Sequence, residues 1–317
     1  MNSHRVFKDN DILTLASIPA TSVLIEALIP RKLTTVSFLE SIKDLDIIKY
    51  SFTATILTPL YLDVVRKSIE GNNIDVSKYV YEAINNIVMN PFIRTNTALG
   101  YLLLSIPLTY SLIKCSLTLS QKEFTHLDNV RKCVGKVTID LLKRSKAKSF
   151  YSTLRMLRPS YTDVFVGIIP DINYSGNIEL SLFEVLTYSA YMDLIAKELI
   201  DEYPLTFITL KKLRSLCSEI NVKCLLDLSR VHDELIANVL DSEGLKLRGL
   251  TYMRIIQDLV NECLKHEYLR ERIKSLLRNE KLNLGTISDI LANSIMLHLI
   301  LKFIEERDSR NEVSIRS

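Results

Sequence analysis

The stretch Arg94-Thr95-Asn96-Thr97-Ala98-Leu99-Gly100 runs straight into the apolar segment Tyr101–Leu108. A short polar turn thus stands directly before a segment that reads as a buried helix. Its side chains, and the unsatisfied N–H groups of the helix start, can face a ligand, and such termini attract anions. Three carboxylates occupy other informative windows. Asp193 lies in Tyr191-Met192-Asp193-Leu194-Ile195-Ala196-Lys197, read as part of one long, mostly apolar helix; an exposed position, or a partner for Lys197 at i+4, is the competing explanation. Asp233 follows His232 at what reads as a helix start, where a capping role competes with a chemical one. Asp289 closes Lys281-Leu282-Asn283-Leu284-Gly285-Thr286-Ile287-Ser288-Asp289, in which Thr286 or Ser288 also reads as a cap for the last helix.

Common catalytic fingerprints are missing: there is no G-x-G-x-x-G, G-x-x-x-x-G-K-[ST], H-E-x-x-H or G-x-S-x-G. The five histidines (His4, His126, His232, His266, His298) are scattered, and His298 in an apolar helix reads as a core residue. A basic run, Lys143-Arg144-Ser145-Lys146-Ala147-Lys148, precedes Arg155 and Arg158. It suits a polyphosphate or nucleic acid, but a solvated helix face explains it equally, and no aromatic residues interleave it for base stacking.

Taken in order, these windows resemble the triphosphoribosyl-dephospho-CoA synthase family. That family's E-x-x-x-P-K-P-G-N-V segment corresponds to Glu26–Thr35, where Glu26 and Pro30 match, Arg31 keeps the charge, and Leu33 and Thr34 replace Gly and Asn. An acidic position shortly after is similar to Asp44. Its T-N-T-x-L-G motif and following L-L-L-x-x-P-L run are matched by Thr95–Gly100 and Leu102–Leu108. The R-D-x-I-A-R segment is matched by Asp193, Ile195, Ala196 and Lys197, with Met192 for the first Arg. D-x-x-I-x-R-K is matched by Asp233 and Ile236, with Asn238 and Val239 in place of the basic pair. The closing N-P-G-T-x-A-D-L is matched by Asn283, Gly285, Thr286 and Asp289, with Leu284 for Pro.

The resemblance implies an all-α fold and a transferase that joins the triphosphoribosyl group of ATP to dephospho-CoA, releasing adenine, in prosthetic-group biosynthesis. An oxocarbenium-like transition state would call for a nearby carboxylate, and the attacking hydroxyl for a base. Asp193, Asp233 and Asp289 are the expected catalytic carboxylates, with Asp193 and Asp289 also as Mg²⁺ ligands. Arg31, Lys32, Asn96, Thr97, Gly100, Lys197, Asn283 and Thr286 are the expected substrate-binding residues. The lost Gly, Asn and basic residues motivate an alternative: a catalytically impaired paralogue acting as a nucleotide-binding or helical partner protein. A homo-oligomer or a paralogue partner fits either reading.

What must position these groups is helical. Apolar residues recur at helical spacing over Ile12–Leu28, Phe38–Ile42, Ile47–Val65, Asp75–Met89, Ser120–Leu142, Ser149–Leu157, Ser181–Tyr203, Thr209–Ile220, Val231–Leu240, Tyr252–Glu267, Arg270–Asn279 and Ser288–Asp308. No stretch alternates like a strand. The expectation is one all-α domain over residues 1–308, roughly a dozen helices by typical lengths, with a polar tail at 309–317. Ser160–Glu179, with Gly167, Pro170 and Gly176, reads as a functional loop or a connection. With 317 residues, 47% hydrophobic and 24% charged, the chain has the composition of an ordinary globular protein. A net charge of +3 carries no argument for nucleic acid. Five widely spaced cysteines without a C-x-x-C pair suggest reduced thiols. With a polar Met1–Asn10 lacking a signal-peptide pattern, this points to a cytoplasmic protein. Leu99–Ile113, interrupted by Pro107, reads as a buried helix shorter than the roughly 20 residues of a membrane span.

Overall fold

A computed structural model of the chain describes residues 7–158, 169–173 and 176–316, with side chains to residue 310. The described residues form fifteen α-helices and no sheet: α1 (Asp9–Leu28), α2 (Ile47–Glu70), α3 (Val76–Met89), α4 (Leu99–Thr118), α5 (Gln121–Phe124), α6 (Leu127–Arg144), α7 (Lys148–Leu157), α8 (Leu182–Ser189), α9 (Leu194–Ile200), α10 (Pro204–Leu216), α11 (Val222–Asn238), α12 (Ser242–Arg248), α13 (Leu250–Lys265), α14 (Arg270–Asn279) and α15 (Gly285–Arg316). The all-α expectation holds.

Helix α4 is apolar on every side because it is buried on every side; Leu102, Leu104, Ile106, Leu108 and Leu112 have no exposed surface. It packs against α2, α3, α6, α9 and α15. Its Tyr101 hydroxyl donates to the Pro19 carbonyl at 2.6 Å, so even its polar atoms are partnered inside the core. Pro59 and Pro107 sit within α2 and α4, which continue through them. By length and composition α1, α4 and α15 could each cross a membrane, but 89% of the apolar window of α4 and 72% of that of α15 lie inside the protein, against 44% for α1. Helix α15 joins two core clusters, one built on α1–α4 and α6–α10, the other on α10, α11, α13 and α14.

Several local expectations are corrected. Phe38–Ile42 is a turn region with isolated bridges, Ser37 to Glu40 and Ile42 to Leu45. The Ser181–Tyr203 helix is two helices, broken at residues 190–193 because Asp193 caps α9. Residues 309–316 continue α15. Much of Ser160–Glu179 lies outside the described residues. The cysteines do not stand apart: Cys115 of α4 is bonded to Cys133 of α6, and Cys217 to Cys224 across the α10–α11 connection, leaving Cys263 free and buried. Helix packing, invisible in the linear spacing, brings them together. The cysteine pattern therefore gives no argument for a reducing compartment.

Candidate active site

A cavity of about 380 Å³ opens between the N-termini of α4, α9, α12 and α15. That volume falls within the range of small-molecule sites. Its floor is made where the first turns of α4 and α15 meet. Arg94 takes a left-handed conformation, φ 55°, and turns the chain toward α4. Asn96 Oδ1 then accepts from the N–H groups of Ala98 (3.2 Å) and Leu99 (3.0 Å), and Thr97 Oγ1 lies 2.7 Å from Thr53 Oγ1. Gly100 allows the closest approach: a Cβ there would sit 2.2 Å from Asp289 Oδ2. The carboxylate of Asp289 thus lies against the backbone of α4 and accepts from the Tyr101 amide.

A second carboxylate fixes the opposite wall. Asp241 caps α12 by accepting from Gly244 N–H (2.8 Å), and its other oxygen accepts from Ile287 N–H (3.1 Å) in the first turn of α15. One buried side chain therefore pins two helix starts together. The hydroxyls of Ser242 and Thr286 stand 3.4 Å apart, and Ser288 donates to Thr35 Oγ1 at 3.2 Å. On the third side, Asp193 Oδ1 caps α9 through Ala196 N–H (3.0 Å), and its Oδ2 accepts from Lys246 Nζ (2.6 Å). The far end is apolar, lined by Phe150, Leu154, Ile172, Val185, Leu186 and Tyr188.

The electrostatics of this space are acidic. Glu26, Asp171, Asp193, Glu243 and Asp289 line it, and Lys246 is the one cationic side chain among the lining residues. Burial pushes the Asp289 carboxyl well above the ordinary carboxylate range, and the charges of Glu26, Glu243 and Asp241 push it further; the Tyr101 amide works against them. Burial likewise raises Asp241 to about 7 and raises Glu243, where Lys43 and Lys246 oppose the effect. Among the described residues neither Glu243 nor Asp289 has an ion pair, and no three His, Cys, Asp or Glu side chains are arranged to hold a metal ion.

Seven of the residues singled out from sequence line this cavity: Asn96, Thr97, Gly100, Asp193, Asn283, Thr286 and Asp289. Four do not. Arg31 is half exposed and paired with Glu267 at 2.6 Å. Lys32 is buried, with Nζ on Glu26 Oε1 (2.6 Å) and on the Glu26 carbonyl (2.9 Å); burial lowers its pKa. Lys197 lies on the exposed face of α9 and pairs with Asp201 at 2.8 Å, not with Asp193. Asp233 is not at a helix start; it lies inside α11, buried, with Oδ2 on Arg270 Nη1 at 2.7 Å. As a metal pair, Asp193 and Asp289 are unequal, since both oxygens of Asp193 already have partners. Sequence reasoning missed Asp241 and Glu243, although Asp241-Ser242-Glu243 before an apolar run is itself a capping signal. The basic run is divided among local contacts: Lys143 lies 5.0 Å over the Phe183 ring and Arg144 bonds Asn73 at 3.2 Å.

Residues 13–308 match a family model described as CitG, ATP:dephospho-CoA triphosphoribosyl transferase. No curated protein sequence matches the chain. Among solved structures, one from Archaeoglobus fulgidus, assigned as a triphosphoribosyl-dephospho-CoA synthase, superposes with a TM-score of 0.56 at 19% identity. It covers 80% of this chain and 99% of its own. At that identity the likeness speaks for the fold.

Proposed function

This chain belongs to the ATP:dephospho-CoA triphosphoribosyl transferase family, and from that premise we propose that the cavity joins the triphosphoribosyl group of ATP to dephospho-CoA with release of adenine. One observation carries the assignment of the site: Asp289, a half-buried carboxyl without an ion pair, lines a cavity of ligand size held between helix N-termini. The family match does not favour the alternative of a non-catalytic partner protein.

The reaction breaks the bond from ATP ribose C1′ to adenine N9 and forms one from C1′ to a ribose hydroxyl of dephospho-CoA. As the C–N bond opens, positive charge builds on the sugar, and an acidic, partly desolvated cavity stabilises it. Asp289 is the carboxyl whose environment most favours the protonated form, so it suits donation of a proton to the departing adenine. Asn96 keeps its amide nitrogen for a sugar or phosphate oxygen while its Oδ1 caps α4. Thr97, Asn283 and Thr286 supply further polar groups on the floor, and the apolar end suits a purine ring or the acceptor's pantetheine arm.

A triphosphate carries more negative charge than Lys246 can balance. The chemistry of the donor set fits a magnesium ion brought in on the phosphates: Glu243 is an unpaired carboxylate on the wall, and Mg²⁺ is commonly held by one or two carboxylates plus phosphate oxygens. Bound there, the ion would neutralise phosphate charge.

The test is direct. Protein incubated with ATP, Mg²⁺ and dephospho-CoA should release free adenine, detected by chromatography, and Asp289→Asn should abolish release while retaining ATP binding by calorimetry. Adenine release by Asp289→Asn at the wild-type rate would remove Asp289 from the chemistry.

A further inference from the structure

Behind the cavity floor stands a line of polar groups that the reading above does not use. Ser288 lines the cavity. Its Oγ donates to Thr35 Oγ1 at 3.2 Å and is 3.5 Å from His232 Nε2, so a turn of the hydroxyl exchanges one acceptor for the other. On the other side of the ring, His232 Nδ1 is 3.5 Å from Asp233 Oδ1, and Asp233 Oδ2 holds Arg270 at 2.7 Å. His232 and Asp233 are completely buried. Both facing atoms, His232 Nδ1 and Asp233 Oδ1, lack a hydrogen bond.

Buried polar atoms left without partners are costly. Two that stand 3.5 Å apart without bonding, behind a hydroxyl on a cavity wall, are a poor solution for stability alone. They suit a pair that draws together when the ring gains charge. Catalytic hydrogen bonds are commonly long in unliganded enzymes and tighten on substrate binding. The order hydroxyl, imidazole, carboxylate also has a defined electronic sense. An N–H on Nδ1 directed at Asp233 leaves Nε2 as an acceptor toward Ser288, and Asp233 stabilises the imidazolium that forms. Arg270 Nη1, 2.7 Å from Asp233 Oδ2, holds the far oxygen of that side chain in place.

Resting on the transferase reading, we propose that Ser288 touches the acceptor hydroxyl and passes its proton to His232, which Asp233 positions. In the step, with the Ser288 O–H turned from Thr35 to the ring, the acceptor O–H bond breaks and its proton moves to Ser288 Oγ as the Ser288 proton moves to His232 Nε2. The acceptor oxygen bonds to C1′, and the electron pair of the C1′–N9 bond leaves with adenine. Adenine takes the proton from Asp289, so the one gained by His232 balances it and turnover consumes none. Asp233, expected from sequence to touch substrate, becomes a positioning residue one group further back.

Two measurements decide the matter. The first is kinetic, on full-length variants whose folding is checked by thermal unfolding. His232→Gln and Ser288→Ala should each lower kcat for adenine release by about 10²-fold or more, the usual worth of general base catalysis. KM for ATP and dephospho-CoA should stay within about twofold, and the double variant should be no slower than either single one, because the groups act in series. Unchanged kcat, or losses that multiply, would overturn the relay. The second is independent of turnover: ¹⁵N spectra of the imidazoles in the wild-type protein, with His232 assigned by its absence in His232→Gln. A proton on Nδ1 supports the relay; a proton on Nε2 in the neutral ring overturns it, since that nitrogen could accept nothing from Ser288. If wild-type protein releases no adenine yet His232 carries its proton on Nδ1, the transferase reading fails and the relay geometry survives it.

Discussion

The cavity floor and the connection between α1 and α2 handle charge in opposite ways. In the connection, Lys32 and Arg31, expected to hold phosphate, are tied off to Glu26 and Glu267, and Glu40 pairs with both Lys274 and Arg278 at 2.7 Å. On the floor, Asp289 and Glu243 face open space with no cation bonded to them. Burying a carboxylate without a partner costs several kcal/mol unless it takes up a proton. A fold that tolerates this beside a cavity, while pairing nearly everything along a neighbouring loop, separates charge used for architecture from charge kept for a ligand.

Removing the Asp289 carboxyl offers the sharpest break in that contrast. Asp289→Asn should cut adenine release by about 10³-fold, the scale of a lost general acid. Its melting temperature should hold or rise, because a desolvated carboxyl has gone. Lys32→Met should do the reverse, lowering stability by about 3–5 kcal/mol by leaving Glu26 buried and alone. Denaturant unfolding measures it. If both variants lose only activity, or both only stability, the two regions are not distinct.

Asp241 stands behind the cavity wall and belongs to the architecture by bonding, and pH tests that role. Its carboxyl is near 7 in the fold against an ordinary value of 3.8. The native state therefore holds the proton more tightly between those values, and stability falls as pH rises from about 4 to about 7. This contribution is up to about 4 kcal/mol. Asp241→Asn should flatten that part of the profile in melting experiments. Gly100→Ala tests the approach of α4 to α15 from the other side. The new methyl group meets Asp289 Oδ2, so the carboxylate must swing away, and a displacement of that size costs about 10²-fold in rate.

How much of this was legible follows the same division. The Thr95–Gly100 turn and the buried α4 were readable because a polar cap and an apolar run are local signals. The Asn283–Asp289 window was readable for the same reason. Asp233 was not, since its burial depends on Arg270, 37 residues away. The break at Asp193 was missed because Tyr191 and Met192 look like more apolar helix; both are exposed at the cavity rim. Cation pairing is likewise a tertiary fact: Arg31 meets Glu267 across 236 residues of chain.

Arg31 therefore gives the smallest expected effect and a clean decision. Sequence alone makes it a phosphate ligand, because it keeps the positive charge beside Pro30. The fold makes it half of a solvent-exposed pair with Glu267, outside the residues that line the cavity. Exposed pairs contribute about 0.2–1 kcal/mol. Arg31→Ala should accordingly leave KM for ATP unchanged and lower unfolding stability by less than about 1 kcal/mol. A tenfold rise in KM with normal stability would show that the α1–α2 connection reaches the triphosphate after all, and the boundary drawn here between architectural and ligand-facing charge would have to move to include it.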